Sequence, residues 1–286
     1  NMPDLLVFTA IVPKIFGSKI ILDIHDVMSE VFLSKNSNSS NFLIKMLKIQ
    51  ERISAKFADY VLSVDEYHMK VIECHGVNIE KITVISNFPD EDLFKPIAIE
   101  DKEENLFKLI FHGTISKVYG LETVINGIFK IKGKIPGLKF IIIGEGDYES
   151  EIFDLIMVKK LQDIILFNNK KIPHEQVPEE IANADLGIVS CPDITAVYQN
   201  KFLEYISMGI PTLIEYNDMV YKFYKDYNLE FYNRNDPDSF AEKLYYLYSD
   251  RDRYNELKET TRKLAKKFKW SSEKRKYLDL VDELLN

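Results

Sequence analysis

The segment Tyr198-Gln199-Asn200-Lys201-Phe202-Leu203-Glu204-Tyr205-Ile206-Ser207-Met208-Gly209-Ile210-Pro211-Thr212 reads as a helix start, a helix, a glycine stop and a proline-led strand. A chain built from such units folds into a parallel sheet with helices on both faces. In open sheets of this kind, ligands bind beyond the carboxyl ends of the strands, where free N–H groups at helix starts meet the loops. The N–H groups near Lys201 and Phe202 can hold a pyrophosphate, and Glu204, one turn into the helix, can accept hydrogen bonds from two vicinal ribose hydroxyls. The plainer alternative is a solvated glutamate on a packed helix.

The same alternation extends outward on both sides. Upstream come strand Leu109–Phe111, helix Leu121–Ile131, strand Lys139–Ile143, helix Glu149–Val158, strand Ile164–Phe167, helix Glu175–Ala182 and strand Leu186–Val189. Downstream lie strand Thr212–Glu215, helix Met219–Tyr227, a short strand Leu229–Phe231 and a helix beginning at Asp236. Two amphipathic stretches, Arg253–Phe268 and Glu273–Leu285, finish the chain. These units make a complete doubly wound domain.

The first half alternates less regularly. Leu5–Phe8 is a strand candidate, Ala10–Phe16 a short helix closed by Gly17, and Lys19–Ile24 a buried strand. After a polar Ser34–Asn41 loop come a helix over 42–57, strand Tyr60–Ser63, helix Glu66–Cys74 and strand Ile82–Ile85. About three strands make an incomplete domain, and the opening Asn1-Met2-Pro3-Asp4 is read as entering inside a larger protein. Residues 87–105, with two prolines and many acids, form the natural linker. Three segments are therefore expected: a partial first domain over 1–95, a nucleotide-binding domain over 96–268, and a last helix over 269–286 packing back toward the first domain.

Composition narrows the function classes. The 286 residues are 46% hydrophobic and 29% charged, which supports sizeable cores under a soluble surface. A formal net charge of −8 argues against a protein that coats nucleic acid. Cys74 and Cys191 are too few for a disulfide scaffold and lack metal-ligand spacing, so two free thiols in a reducing cytoplasm are expected. No run approaches the roughly 18 apolar residues of a membrane span. The opening has no signal-peptide pattern.

Other strand ends add candidates. His112-Gly113-Thr114 follows a strand, and Gly113 lets a phosphate approach the backbone while Lys117 offers a point charge. An ordinary βα turn with a solvated lysine is the alternative. Gly144-Glu145-Gly146-Asp147 reads as a tight turn, because its carboxylates repel phosphate. His25, in Asp23-Ile24-His25-Asp26, closes a buried strand beside acids and so has a route to a ligand. Helix 42–57 interleaves Lys45, Lys48, Arg52 and Lys56 with Phe42, Leu43, Met46 and Leu47. It reads equally as a core-packing helix or as one resting on an anionic membrane.

Together these segments resemble the retaining GT-B glycosyltransferases of group 1, the family four-like group. Val7 to Glu30 is similar to the family's Pro-Asp…Gly-x-Lys…Asp-x-His-Asp segment, and Val84 to Asp90 with Phe94 to its linker motif. Phe111 to Gly120 resembles its first nucleotide-domain strand and phosphate loop, and Ala184-Asp185 through Pro211-Thr212 its Ala-Asp…Lys-x-x-Glu-Tyr…Gly-x-Pro block. The resemblance implies an α/β GT-B fold, two Rossmann-like doubly wound domains facing a cleft, the first incomplete here. By it, Glu204 matches the ribose-binding glutamate and Asn200, Lys201 and Phe202 the helix start at the diphosphate. Gly113 matches the phosphate-loop glycine, Ile172 the segment whose backbone reads the base, and His25 the first-domain histidine near the sugar. Two positions depart from the family: Ala196 stands where a first glutamate is common, and Thr114 where an arginine is common.

The expected activity is transfer of a sugar from a UDP- or GDP-sugar to a glycan or lipid-linked acceptor in bacterial polysaccharide or lipopolysaccharide synthesis, with retention. The nucleotide sugar is a substrate, so no cofactor and no metal is expected, and no nucleic-acid partner. The expected place is the cytoplasm, with a peripheral position on the inner face of the cell membrane through helix 42–57. The rival readings are a non-catalytic GT-B partner subunit, favoured by Ala196 and Thr114, and a sugar-nucleotide epimerase of the same architecture.

Overall fold

The computed structural model describes residues 4–35, 41–99, 103, 105–191 and 199–285. They form two compact units, one of residues 4–87 and 270–285, the other of residues 88–191 and 199–269.

The first unit opens with a 3-10 helix over Asp4–Ala10 and continues through α1 (Ile11–Ile15), β1 (Ile21–Ile24), α2 (Met28–Lys35), α3 (Asn41–Phe57), β2 (Tyr60–Ser63), α4 (Glu66–Cys74) and β3 (Ile82–Val84). The strands pair in parallel in the order β1-β2-β3, with Leu22 opposite Val61 and Val61 opposite Ile82. Those residues, with Ile24, Ala55 and Ile72, make its core. The Asp65 carboxylate caps α4 by accepting the His68 N–H at 2.7 Å.

Two sequence expectations change here. Leu5–Phe8 is not a strand but part of the 3-10 helix, with Leu5 and Leu6 exposed. An apolar run that no neighbouring strand pairs with satisfies its backbone locally, and the Thr9 hydroxyl adds a bond to the Leu6 carbonyl at 2.7 Å. Helix α2 also runs into the stretch read as a loop from Ser34; residues 36–40 of that stretch lie outside the described residues.

The second unit contains β4 (Phe107–His112), α5 (Leu121–Ile131), β5 (Leu138–Ile143), α6 (Glu149–Val158), β6 (Ile165–Asn168), α7 (Val177–Ala182), β7 (Leu186–Val189), α8 (Asn200–Ser207), β8 (Thr212–Glu215), α9 (Asp218–Tyr224), β9 (Glu230–Tyr232), α10 (Pro237–Ser249) and α11 (Arg251–Lys267). Its six strands are all parallel, in the order β6-β5-β4-β7-β8-β9. The winding direction therefore reverses between β4 and β7, the switch point at which ligands enter such sheets. Helix α5 buries Leu121, Val124, Ile125, Ile128 and Ile131, a helical stripe against the sheet. Gly127 lets α10 approach closely, since a Cβ there would stand 2.5 Å from the Phe240 ring. Gly209, at φ +74°, ends α8 as the sequence implied.

The units divide at 87/88 rather than at 95/96. Phe94 is buried and its ring packs 5.2 Å from that of His174, while Phe88 packs 5.3 Å from Phe268, so these residues follow the second unit. The final helix, α12 (Trp270–Leu285), belongs to the first. Its Glu273 is buried and accepts the Ser86 N–H at 2.9 Å, and the Tyr60 hydroxyl donates to Glu283. Cys74 and Cys191 are both free thiols. Among the described residues, no helix is long and apolar enough to cross a membrane.

Candidate functional site

The second unit gathers its polar groups where β4, β5 and β7 end. Gly113 follows β4 with φ +119°, a conformation that suits glycine. Its loop lies against the next one: a Cβ on Gly144 would stand 1.8 Å from the Gly113 carbonyl, and one on Gly146 2.0 Å from that of Ile115. The Gly-x-Gly pair after β5 thus serves close backbone approach, the tight-turn role read for it. A cavity of about 440 Å³ opens here, lined by His112, Gly113, Thr114, Gly144, Ile172 and His174 among others.

Helix α8 supplies the charged groups. Lys201 directs its ammonium under the Gly113 turn, 3.0 Å from where a Cβ on that glycine would stand. Its Nζ lies 4.3 Å from the Phe111 ring centroid and 4.6 Å from that of Tyr119. Among the described residues no hydrogen bond or ion pair satisfies it. Burial pulls its pKa down from 10.5 to about 8, against the opposing pull of Glu204 and Cys191. An enclosed ammonium without a counter-ion is a costly arrangement, relieved when an anion enters.

Glu204 stands one turn further on. Its Oε2 lies 3.0 Å from Nε2 of His112, but the two are not aligned for a hydrogen bond, and both atoms are buried without a partner among the described residues. A carboxylate oxygen in that state is a ready acceptor for a ligand hydroxyl. Phe202 turns its side chain into the core against Tyr224, so any ligand contact it makes is through its backbone. Asn200 is exposed in the first turn of α8, whose N-cap residue Gln199 makes no side-chain cap.

The remaining candidates fall elsewhere. Lys117 is exposed on a 3-10 turn over Lys117–Tyr119, and the cation beneath Gly113 is Lys201 instead. His25 belongs to the first unit, where Nε2 lies 3.0 Å from Asp23 and Nδ1 3.2 Å from the Asn87 amide. With Asn87 as donor, Nδ1 is the acceptor and Nε2 carries the proton. Ala196 lies outside the described residues.

Sequence reasoning missed four groups. His112 was visible at a strand's end, but its closeness to Glu204 was not. The aim of the Lys201 side chain depends on Phe111 and Tyr119, far from it in sequence. Tyr205 is fully buried, donates its hydroxyl to the Ile110 carbonyl at 3.2 Å and occupies the space that glycine leaves at Gly187, fixing α8 to the sheet. Glu215, at the end of β8, is buried and accepts the Cys191 N–H at 2.9 Å.

A profile of the glycosyl transferases group 1 family matches residues 94–264, more than half of the chain. The chain belongs to this family. A chitobiosyldiphosphodolichol beta-mannosyltransferase from Debaryomyces hansenii is 22% identical over 74% of this chain and 50% of its own length. An uncharacterized glycosyltransferase from Methanocaldococcus jannaschii is 21% identical over 74% of this chain and 55% of its own. The group 1 chain thus spans about half the length of these curated relatives. Among solved structures, the Anabaena protein HepE in complex with UDP superposes with a TM-score of 0.77 at 16% identity, covering 97% of this chain and 76% of that one. A Rickettsia africae glycosyltransferase gives 0.73 at 16%, covering 99% and 82%. The C-terminal domain of a group 1 protein from Francisella tularensis, crystallised alone, gives 0.53 at 17%, covering 63% and 97%. The GT-B fold expected from the sequence, with Rossmann-like parallel sheets, is the fold these structures share.

Proposed function

We propose that this group 1 glycosyltransferase binds a UDP- or GDP-sugar at the carboxyl ends of β4, β5 and β7 and transfers the sugar to a glycan or lipid-linked acceptor. The observation that carries this reading is a pair of charges on α8 left unsatisfied among the described residues: the Lys201 ammonium under the Gly113 turn, without a counter-ion, and a carboxylate oxygen of Glu204 one turn away, without a hydrogen-bond partner. A nucleoside diphosphate supplies both missing partners, phosphate oxygens for the cation and ribose hydroxyls for the carboxylate. The base would lie in the cavity against the Ile172 backbone, with Gly113 letting the phosphates approach and exposed Lys117 adding charge at the rim.

In the transfer step negative charge grows on the leaving diphosphate. Lys201 and the N–H groups of Asn200, Lys201 and Phe202 would stabilise it, so the proposed reaction uses side-chain cations and a helix start in place of a metal. By the family resemblance, His25, held in one tautomer between Asp23 and Asn87, would act near the transferred sugar. Retention of configuration and a bacterial polysaccharide or lipopolysaccharide product rest on the family resemblance. That the Debaryomyces relative is named for a dolichol-linked substrate supports a lipid-linked acceptor. The basic and apolar face of α3 supports a peripheral position on an anionic membrane, on the cytoplasmic side.

Calorimetry with UDP and GDP in excess EDTA tests the site. One of them should bind; Lys201→Met should weaken it at least tenfold, and Glu204→Ala by about 1.5–3 kcal/mol, the range for a hydrogen bond to a charged group. Release of free nucleoside diphosphate from a panel of sugar nucleotides would then show transfer, and NMR of the product its anomeric configuration. Binding of neither nucleotide, or binding indifferent to both substitutions, would remove the reading. A second sugar nucleotide as product would instead make the protein an epimerase.

A further inference from the structure

Lysine side chains ordinarily lay their carbon stems on apolar surface and carry the ammonium out to water. Lys201 does the reverse. Its ammonium sits against two ring faces, 4.3 Å from the Phe111 centroid and 4.6 Å from the Tyr119 centroid, both inside the distance at which a ring quadrupole attracts a cation. Phe111 is a fixed floor, fully buried in β4. Tyr119 is carried by the short turn after the phosphate loop, closed by its own N–H to the Ser116 carbonyl and by Gly120 at φ +58°.

We propose that Tyr119 is a positioning residue, whose ring closes an aromatic clamp with Phe111 that holds the Lys201 ammonium dehydrated and aimed at the Gly113 turn. The diphosphate-binding cation is thereby delivered by α8 rather than by the loop after β4, where Thr114 stands and Lys117 points to solvent. The inference rests on the nucleotide reading above.

Among the described residues, the groups facing the ammonium fit this role. From β4 comes the Phe111 ring, from the turn Tyr119, and from the loop the bare backbone of Gly113. The titratable neighbours are Glu204 on the same helix and Cys191 after β7. Burial drives the Cys191 thiol up to about 12, so it is neutral at ordinary pH, and Glu204 turns its Oε2 to within 3.0 Å of His112 Nε2. The clamp also removes the freedom of a long side chain before ligand arrives, the condition under which a hydrogen-bonding cation binds at least cost.

The experiment follows the lysine Cε–Nζ resonances by NMR from about pH 6 to pH 11, a range that spans the ordinary lysine pKa, with Lys201→Met assigning the signal. It is repeated for Tyr119→Leu and Tyr119→Phe, and each protein is titrated with UDP and GDP. The parent midpoint should be near 8. Tyr119→Leu, which lets water reach the ammonium, should raise it by at least about one unit and weaken nucleotide binding at pH 7 about tenfold, with the alkaline limb of affinity moving upward in step. Tyr119→Phe keeps the ring face and should behave as the parent. An unmoved midpoint in Tyr119→Leu, or a loss in Tyr119→Phe equal to that in Tyr119→Leu, would overturn the clamp. If the midpoint moves as expected but neither nucleotide perturbs the Lys201 signal, the clamp stands and the diphosphate reading falls.

Discussion

Glu215 is 1% exposed at the end of β8, where its carboxylate meets the backbone N–H groups of Cys191 and Asn235. Burial raises its pKa from 4.5 to about 7, and the two N–H groups only partly offset that. The sign follows from proton counting. Between pH 4.5 and about 7 the folded chain keeps a proton that the unfolded chain has lost, so this group's contribution to stability falls as pH rises through that window and is level above it. Glu215→Gln should therefore gain on the parent as pH rises, by an amount on the order of 2–3 kcal/mol once pH exceeds 7.5. Urea unfolding of the two proteins at pH 5 and pH 8 measures it, and an equal gap at both pH values would show that Glu215 is ionised throughout. None of this was legible from sequence, because a glutamate at a strand's end looks solvated until the segments carrying Cys191, Gly120 and Asn235 converge on it. Lys201 was half legible: its place at a helix start followed from the pattern, its aromatic setting between Phe111 and Tyr119 did not.

At the scale of elements the second unit was almost wholly readable, since each strand is a short apolar run and each helix carries one apolar stripe. What failed was context. Leu5–Phe8 has a strand's composition and lacks a strand's partner, and α2 is a short helix with little periodicity to reveal it. Helix α3 was readable as a helix but not in its orientation. It buries Glu51, Ser54 and Ala55 while Phe42, Leu43, Met46, Ile49 and Ile53 are exposed beside Lys45, Arg52 and Lys56. Glu51 is tolerated inside because His75 lies 2.7 Å from it. An exposed face both apolar and basic suits an anionic bilayer surface, where each cation contributes about 1 kcal/mol. Vesicles containing phosphatidylglycerol should bind the chain, neutral phosphatidylcholine vesicles should not, and Lys45→Glu with Lys56→Glu should lower binding more than tenfold, at about that energy per cation. Equal binding to both lipids, or to parent and variant, would return α3 to the role of a core-packing helix.

For the molecule as a whole, the β/α count reads two units and an acidic, proline-bearing linker, while the structure's two units meet at 87/88 because Phe88 and Phe94 are hydrophobic anchors inside a polar stretch. Every group proposed for the donor site in the second half, from Gly113 through Ile172 to Lys201 and Glu204, lies within residues 88–269. That span has its own six-stranded sheet and its own core, and its two ends are tied together by the Phe88–Phe268 contact and the ion pair of Glu91 with Lys269. The Francisella domain shows that this fold crystallises by itself. Helix α12 leaves with the first unit, and its buried Glu273 satisfies Ser86 of that same unit. A fragment of residues 88–269 should therefore fold cooperatively and bind the preferred nucleoside diphosphate within about threefold of the intact chain, less than the ~1.4 kcal/mol that a tenfold change represents. It should release no nucleoside diphosphate from a sugar nucleotide, because His25 and the acceptor groups are absent. Calorimetry and a turnover assay on the fragment and the intact chain make the comparison. Affinity lower by tenfold or more in a well-folded fragment would show that the first unit contributes to nucleotide binding, and turnover by the fragment alone would remove His25 from the reaction.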